Sequence, residues 1–419
     1  MNKCALTGED TELVFSLGTQ YINGFLETID VNWPKVNLNL RMGPTGLVQL
    51  DEAYSRDAMY REYWYDSSIN EMMRKELAEI ANECQTFVKL EPGDWVVDIA
   101  SNSGELLTNY PRYVNRIGVD PCNIAKESHL YDQHGIALVN DYFELDKYPD
   151  RDRKHKIVTV IAMFYDLPDP KKFCKEVREI MHEDGILCIQ MSYFPMMLGT
   201  LEVGNISEEH LCYYTLNTLS QALRPYFSVV DVQVNATNGG SFRVYARPVD
   251  NQTFEINESR AVFDTIPGIV RLDSIAAFEK RNNFDTPAGI KKAIQVFAEE
   301  LDKQRKRTID LLWNLKKEGK TVLGYGASTK GNTLLQYFGI TPELIPAIAE
   351  RYEPKWGRYT AGSWIPIISE DEMRARKPDY LFVLPWHFIN SFRKREIDFL
   401  NNGGKFIVPL PKAEIISKD

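Results

Sequence analysis

The chain has 419 residues, of which 44% are hydrophobic and 26% charged, with 20 Phe, 21 Tyr and 7 Trp. That is enough apolar material to fill real cores, so a mostly disordered chain is excluded, and the length is that of about two to three domains. A net charge of −10 argues against nucleic acid or an anionic membrane as the main partner, and no stretch approaches the roughly 18 uncharged apolar residues of a membrane span. The N-terminus, MNKCALTGEDTEL, has no apolar signal core, and the six cysteines (Cys4, Cys84, Cys122, Cys174, Cys188, Cys212) show no paired spacing. Both features fit a cytoplasmic protein with reduced thiols.

In chain order, residues 1–52 read as short strands and turns. Residues 66–88 place Ile69, Met72, Met73, Leu77, Ile80 and Ala81 at helical spacing, with Ser67 or Ser68 as the N-cap. Buried-strand runs then alternate with helical stretches: WVVDIA (95–100), RIGVD (116–120), KIVTVIAMF (156–164), GILCIQMSY (185–193), VVDVQVN (229–235) and SFRVYARP (241–248). Such alternation predicts a mostly parallel sheet flanked by helices. The polar stretch 249–260 reads as a domain boundary, followed by a long amphipathic helix over about 287–317 with Ile294, Phe297, Leu301, Ile309 and Leu312 on one face. A second alternation runs through TVLGYGASTKG (321–331), IPAIAE (345–350), YLFVLPW (380–386) and KFIVPLP (405–411). The expected fold class is α/β: a small N-terminal module (1–52), a doubly wound domain (53–248) and a second, smaller α/β domain (249–419).

The loop Asp98-Ile-Ala-Ser-Asn-Ser-Gly104 follows the first buried strand, and the next strand ends in Gly118-Val119-Asp120. Small residues let backbone approach a ligand, and an acidic residue at the second strand tip suits ribose hydroxyls. A dinucleotide wants G-x-G-x-x-G; here an acid, Asp98, stands first and only Gly104 is glycine. A carboxylate there repels a pyrophosphate but can pair with the methionyl ammonium of S-adenosylmethionine (SAM). SAM is therefore the expected cofactor, with Asp98, Ala100, Asn102, Gly104 and Asp120 as contacts. Asp141, in Asn140-Asp141-Tyr142-Phe143, suits either the adenine edge or an ordinary helix N-cap.

Glu208-Glu209-His210 lies between two strand runs, beside the carboxyl ends where open α/β sheets bind ligands. A carboxylate beside an imidazole orients it and supports its protonated form, as a general base requires. Methyl transfer to carbon needs such a base, because carbon is not nucleophilic until a proton α to a carbonyl is removed; transfer to oxygen could use the same group. The aromatic run Glu62–Ser68 reads either as a hydrophobic plug or as the source of an active-site hydroxyl, Tyr65, for an enolate oxygen.

Taken together, EYWYDSSIN, VVDIASNSGELL, IAMFYDLPDP, NISEEHLCYYTL, NGGSFRVY, GYGASTKGNTLLQ and LPWHF resemble the sugar C-methyltransferases of deoxysugar biosynthesis, in order and over nearly the whole chain. The resemblance implies a zinc-binding N-terminal module, a SAM domain, and a C-terminal α/β domain without its own cofactor. A nucleotide-linked 4-keto-6-deoxyhexose would lie between the last two. It implies His210 as base, Glu209 as its adjacent carboxylate, Tyr65 as the active-site tyrosine, and Lys330, Arg243, Asp166 and His387 on the substrate side. Lys330 would face the phosphates or simply pack, and His387 would line the cleft or end a strand. The family's two Cys-x-x-Cys pairs read here Cys4-Ala-Leu-Thr7 and Met42-Gly-Pro-Thr45, one thiol of four, so no zinc is expected. Ser207 replaces the tyrosine of the base element, and Asp166 stands where the family tends to have histidine. The expectation is a monomeric or homodimeric SAM-dependent methyltransferase; the rivals are O- or N-methylation of a related sugar, an inert nucleotide-sugar binding protein, or an NAD-linked oxidoreductase.

Overall fold

The fold is taken from a computed structural model, which describes residues 2–249 and 266–418. After Val249, the stretch read as a domain boundary lies outside the described residues. In the N-terminal module, strands β1 (Glu12–Tyr21), β3 (Lys35–Met42) and β4 (Val48–Leu50) pair antiparallel, and β2 (Phe25–Leu26) stands apart. Along β3 the side chains alternate, burying Val36, Leu38, Leu40 and Met42, as a half-buried strand demands.

The central domain contributes β5 (Trp95–Ile99), β6 (Asn115–Val119), β7 (Ala137–Val139), β8 (His155–Ile161), β9 (Met181–Ser192), β10 (Cys212–Tyr213), β11 (Phe227–Asn235) and β12 (Ser241–Pro248). All except β10 form a seven-stranded sheet in the order β11-β12-β9-β8-β5-β6-β7. β5 pairs parallel with β6 on one side and β8 on the other, so the strand order reverses there and opens a ligand crevice at their carboxyl ends. β10 leaves this sheet and pairs with β4.

The C-terminal domain carries β13 (Val322–Tyr325), β14 (Ile348–Glu350), β15 (Tyr359–Thr360), β16 (Ile367–Ser369), β17 (Tyr380–Val383), β18 (Lys405–Val408) and β19 (Glu414–Ile416). Six of them form a sheet ordered β16-β14-β13-β17-β18-β19, again reversing at the first strand of the unit, while β15 pairs with β2. The N-terminal module is thus stitched to the central domain through β4–β10 and to the C-terminal domain through β2–β15. Local patterns hold no trace of pairs so distant in sequence.

The long helix runs Pro287–Lys317 with Thr286 capping Gly289 N; it buries Ile294, Phe297, Leu301 and Leu312, and Ile309 is half-buried. Its Phe297 ring meets Phe15 of β1 edge-on at 5.5 Å. The earlier helix is shorter than the periodicity suggests, spanning Glu71–Phe87 with Asn70 as N-cap. Ser67 is unavailable for capping because it bonds Asn102 and Ser103, so the chain turns helical only after Asn70, and Ile69 and Met72 stay exposed. No helix among the described residues is long and apolar enough to cross a membrane.

Candidate functional site

The loop after β5 is shaped by backbone that L residues avoid. Ala100 and Asn102 have φ of 65° and 48°, values most side chains resist. Asn102 is fixed there from three directions: its N–H donates to Asp120 Oδ2 (2.8 Å), its Oδ1 accepts from the Ser67 amide (3.0 Å), and its Nδ2 donates to Tyr65 O (2.9 Å). Beneath it, the Tyr131 hydroxyl donates to Asn102 O at 2.9 Å. A Cβ on Gly104 or Gly118 would come within 2.9 or 2.7 Å of that tyrosine ring, so both glycines make room for it. Gly104 therefore shapes the loop rather than lining its cavity, a correction to the expected direct contact.

A cavity of about 190 Å³ opens over this loop, with Asp98, Ala100, Asn102, Asp120, Tyr142 and Phe143 among its walls. Asp98 is buried, accepts a 2.6 Å hydrogen bond from Thr159 Oγ1, and is pushed up to about 7 chiefly by burial. Asp120 also accepts from the Cys122 amide (2.9 Å), and its carboxylate keeps lone pairs for further donors. Two buried acids at adjacent strand tips suit an ammonium and a ribose, so these residues fit SAM. Asp141 does not join them. Its carboxylate takes Arg61 (3.2 Å) and the Tyr142 amide at the rim, and its neighbours Tyr142 and Phe143 line the cavity instead.

A second, larger cleft of about 1710 Å³ runs between the three bodies, walled by residues such as Asn23, Glu209, Ser328, Lys355 and Arg358. Tyr63 and Tyr65 line both spaces and form the partition between them. Burial pushes the Tyr65 phenol up to about 12, so it remains a hydrogen-bond donor. Asn23 ties the bodies together: its N–H and Nδ2 donate to Glu208 (2.7 and 3.0 Å), and Nδ2 also reaches Thr333 Oγ1 (3.1 Å).

Glu209 faces the cleft with its carboxyl pushed up to about 8 by burial and by Glu208, with Lys330 opposing. His210 stands one layer behind: Nδ1 meets Asn205 O at 2.8 Å, the ring lies 4.1 Å from Tyr165, and burial lowers its pKa to about 3. Asp166 lines the small cavity rather than the cleft.

Lys330 and His387 also sit off the cleft wall. The helix Thr329–Phe338 starts at Ser328, whose Oγ accepts from Gly331 N (3.0 Å); Lys330 lies half-buried where its charge acts on Glu202 and Glu209. His387 Nδ1 is 3.9 Å from Glu202 Oε1 at the same domain interface. Arg243 is a clearer correction. On β12 its side chain points to the helix Glu71–Phe87, where it is fully buried and pairs with Glu76, Glu83 and Gln190. Strand alternation decided this, sending Arg243 to the sheet face away from both spaces.

Tyr60, Tyr63, Asn23, Lys355 and Arg358 were not singled out from the sequence. Tyr63 lies within the aromatic run Glu62–Ser68 and Tyr60 just before it; Asn23 and the two cations carry no local signal. Lys355 Nζ donates to Ala327 O (2.8 Å) and Arg358 Nη1 to Phe25 O (3.2 Å), which fixes both at the cleft. Among the described residues no three His, Cys, Asp or Glu side chains gather as a metal group.

A family profile described as a C-methyltransferase C-terminal domain matches residues 236–411, and one described as a methyltransferase domain matches 65–226. The chain is 26% identical over 379 residues to C-methyltransferase NovU of Streptomyces niveus, covering 89% of this chain and 86% of that one. Among solved structures it is similar to a SAM-dependent methyltransferase of Clostridium acetobutylicum, at 13% identity over 42% of this chain and 92% of the other, with a TM-score of 0.34. The PH0226 protein of Pyrococcus horikoshii gives 16% identity, 44% and 94% coverage, and a TM-score of 0.36.

Proposed function

Because the chain belongs to the SAM-dependent C-methyltransferase family, we propose that it methylates a nucleotide-linked keto sugar at carbon, through an enolate, with His210 as the base. The observation that carries this reading is the pair of spaces meeting at Tyr63 and Tyr65. One is small and has Asp98 and Asp120 at its strand tips; the other is large and rimmed by Lys355 and Arg358.

Bound SAM supplies an electrophilic methyl group. Asp98 would hold the ammonium and Asp120 the ribose. In the cleft, Lys355, Arg358 and the N-terminus of the helix Thr329–Phe338 suit an anionic diphosphate. Burial keeps His210 neutral, and donation from Nδ1 to Asn205 leaves Nε2 to accept the proton α to the keto group. Glu209 orients the approach to it, and the Tyr65 hydroxyl supports the oxygen that gains charge.

Incubation with SAM and a set of nucleotide-linked keto sugars tests this, read by mass gain and then by NMR of the product. Loss of the C–H proton at the methylated carbon is expected; its retention would move the methyl to oxygen or nitrogen.

A further inference from the structure

We propose that Asp166 is a further catalytic residue, a carboxylic acid that hydrogen-bonds the acceptor's carbonyl oxygen while the neighbouring carbon loses its proton. This rests on the carbon-methylation reading above.

Asp166 ends the short turn Phe164–Asp166 that follows β8, beside the reversal of strand order between β5 and β8. It lines the small cavity together with Met163 and Leu167. Tyr60 lines the same cavity, and its hydroxyl donates to the backbone carbonyl of Glu209 at 3.4 Å. Glu209 in turn lines the large cleft. Asp166 therefore stands where the donor and acceptor spaces adjoin, not within either structural core.

One of its oxygens, Oδ1, is buried with no hydrogen-bond partner among the described residues. An ionised oxygen in that position is costly unless it carries a proton or meets a ligand group. Among the described residues no cation offsets it: the groups electrostatically coupled to it are Tyr60, Tyr63, Tyr165, Tyr213, Cys212 and Glu209, which are phenols, a thiol and a second acid. Burial and Glu209 both drive its pKa well above the usual carboxylate range, while Lys330 acts on Glu209. Lys330 offsets part of the burial of Glu209, and nothing of that kind acts on Asp166 among the described residues, so Asp166 keeps its proton.

The role also answers a weakness in the base. An imidazole held near 3 takes a proton poorly, so the oxygen end must carry more of the barrier. In the step, the C–H bond α to the carbonyl breaks and its proton passes to His210 Nε2. The electron pair forms the enolate C=C as the carbonyl pair moves to oxygen, which accepts the Asp166 hydrogen bond. When that carbon takes the methyl of bound SAM, the methyl–sulfur bond breaks, its electron pair stays on sulfur and S-adenosylhomocysteine leaves; the carbonyl re-forms, Asp166 keeps its hydrogen, and the proton on His210 leaves to solvent.

Proton exchange in D2O isolates this half of the reaction. The full-length enzyme is mixed with a thymidine-diphosphate-linked 4-keto-6-deoxyhexose and S-adenosylhomocysteine, which fills the donor space without giving a methyl, and the α-proton is followed by NMR. Asp166→Ala is expected to slow exchange about 100-fold or more, the scale of a lost oxyanion donor. Asp166→Asn, which keeps an N–H donor, is expected within about tenfold of wild type, with SAM affinity by calorimetry unchanged in both. Exchange in Asp166→Ala at the wild-type rate, Asp166→Asn as slow as Asp166→Ala, or SAM affinity falling in step with exchange would each overturn the role. A wild type that methylates this sugar without exchanging its proton removes the enolate and this role with it. One that neither exchanges nor methylates overturns the substrate reading instead.

Discussion

His210 and Asn205 are joined by a 2.8 Å hydrogen bond from the imidazole Nδ1–H to the backbone carbonyl, which decides which ring nitrogen carries the hydrogen. Nε2 keeps the lone pair, and burial keeps the ring uncharged down to about pH 3. His210→Ala is expected to lower kcat by about 10²–10⁴-fold with little change in SAM affinity. The lowered pKa also means that protonation of this ring produces no fall in rate between pH 7 and 5. A limb near the ordinary imidazole value that vanishes in the variant would contradict that neutrality.

Asp98 sits at the edge of ionisation. Its pKa of about 7 in the ligand-free protein, set first by burial, leaves it partly protonated at neutral pH, and only the carboxylate pairs with an ammonium. SAM affinity is therefore expected to rise from pH 6 to 8 and then level off. Asp98→Asn should bind SAM about tenfold or more weakly at pH 8 and show a flatter pH dependence, by calorimetry.

Glu209 makes a pH-dependent contribution to stability with a definite sign. Its folded pKa of about 8 lies above the ordinary 4.5, so the native state retains a proton that the unfolded chain releases. The stabilisation is complete below about pH 4.5 and is lost as pH rises through 8. Glu209→Gln does not titrate, so its melting temperature should gain on wild type across that window and hold the gain above it. A difference that is constant from pH 5 to 9 would show that the side chain is not held protonated.

Arg243 supports the fold, not the substrate. It is 1% exposed and pairs with Glu76 and Glu83, so Arg243→Met strands two partly buried acids. Denaturant unfolding is expected to show a loss of about 3–5 kcal/mol, with the KM for the sugar unchanged in whatever fraction folds. A raised KM at unaltered stability would return Arg243 to the substrate.

The sequence by itself determined the two doubly wound sheets, the acids at their strand tips and the Glu208-Glu209-His210 segment. Each rests on local order: buried-strand runs, small-residue loops and the spacing of a few chemical groups. What only tertiary structure decided is which side chains share a space. Arg243 and Asp166 both read as substrate-side residues in the chain; strand alternation sent one beneath a helix, and the turn after β8 brought the other to the wall of the small cavity. Asn23, Lys355 and Arg358 became cleft residues because β2 pairs with β15 and β4 with β10, joining segments hundreds of residues apart or nearly so. Local periodicity encodes the faces of helices and strands, but such long-range pairings follow from how those faces pack, and it is the packing that assembled the site.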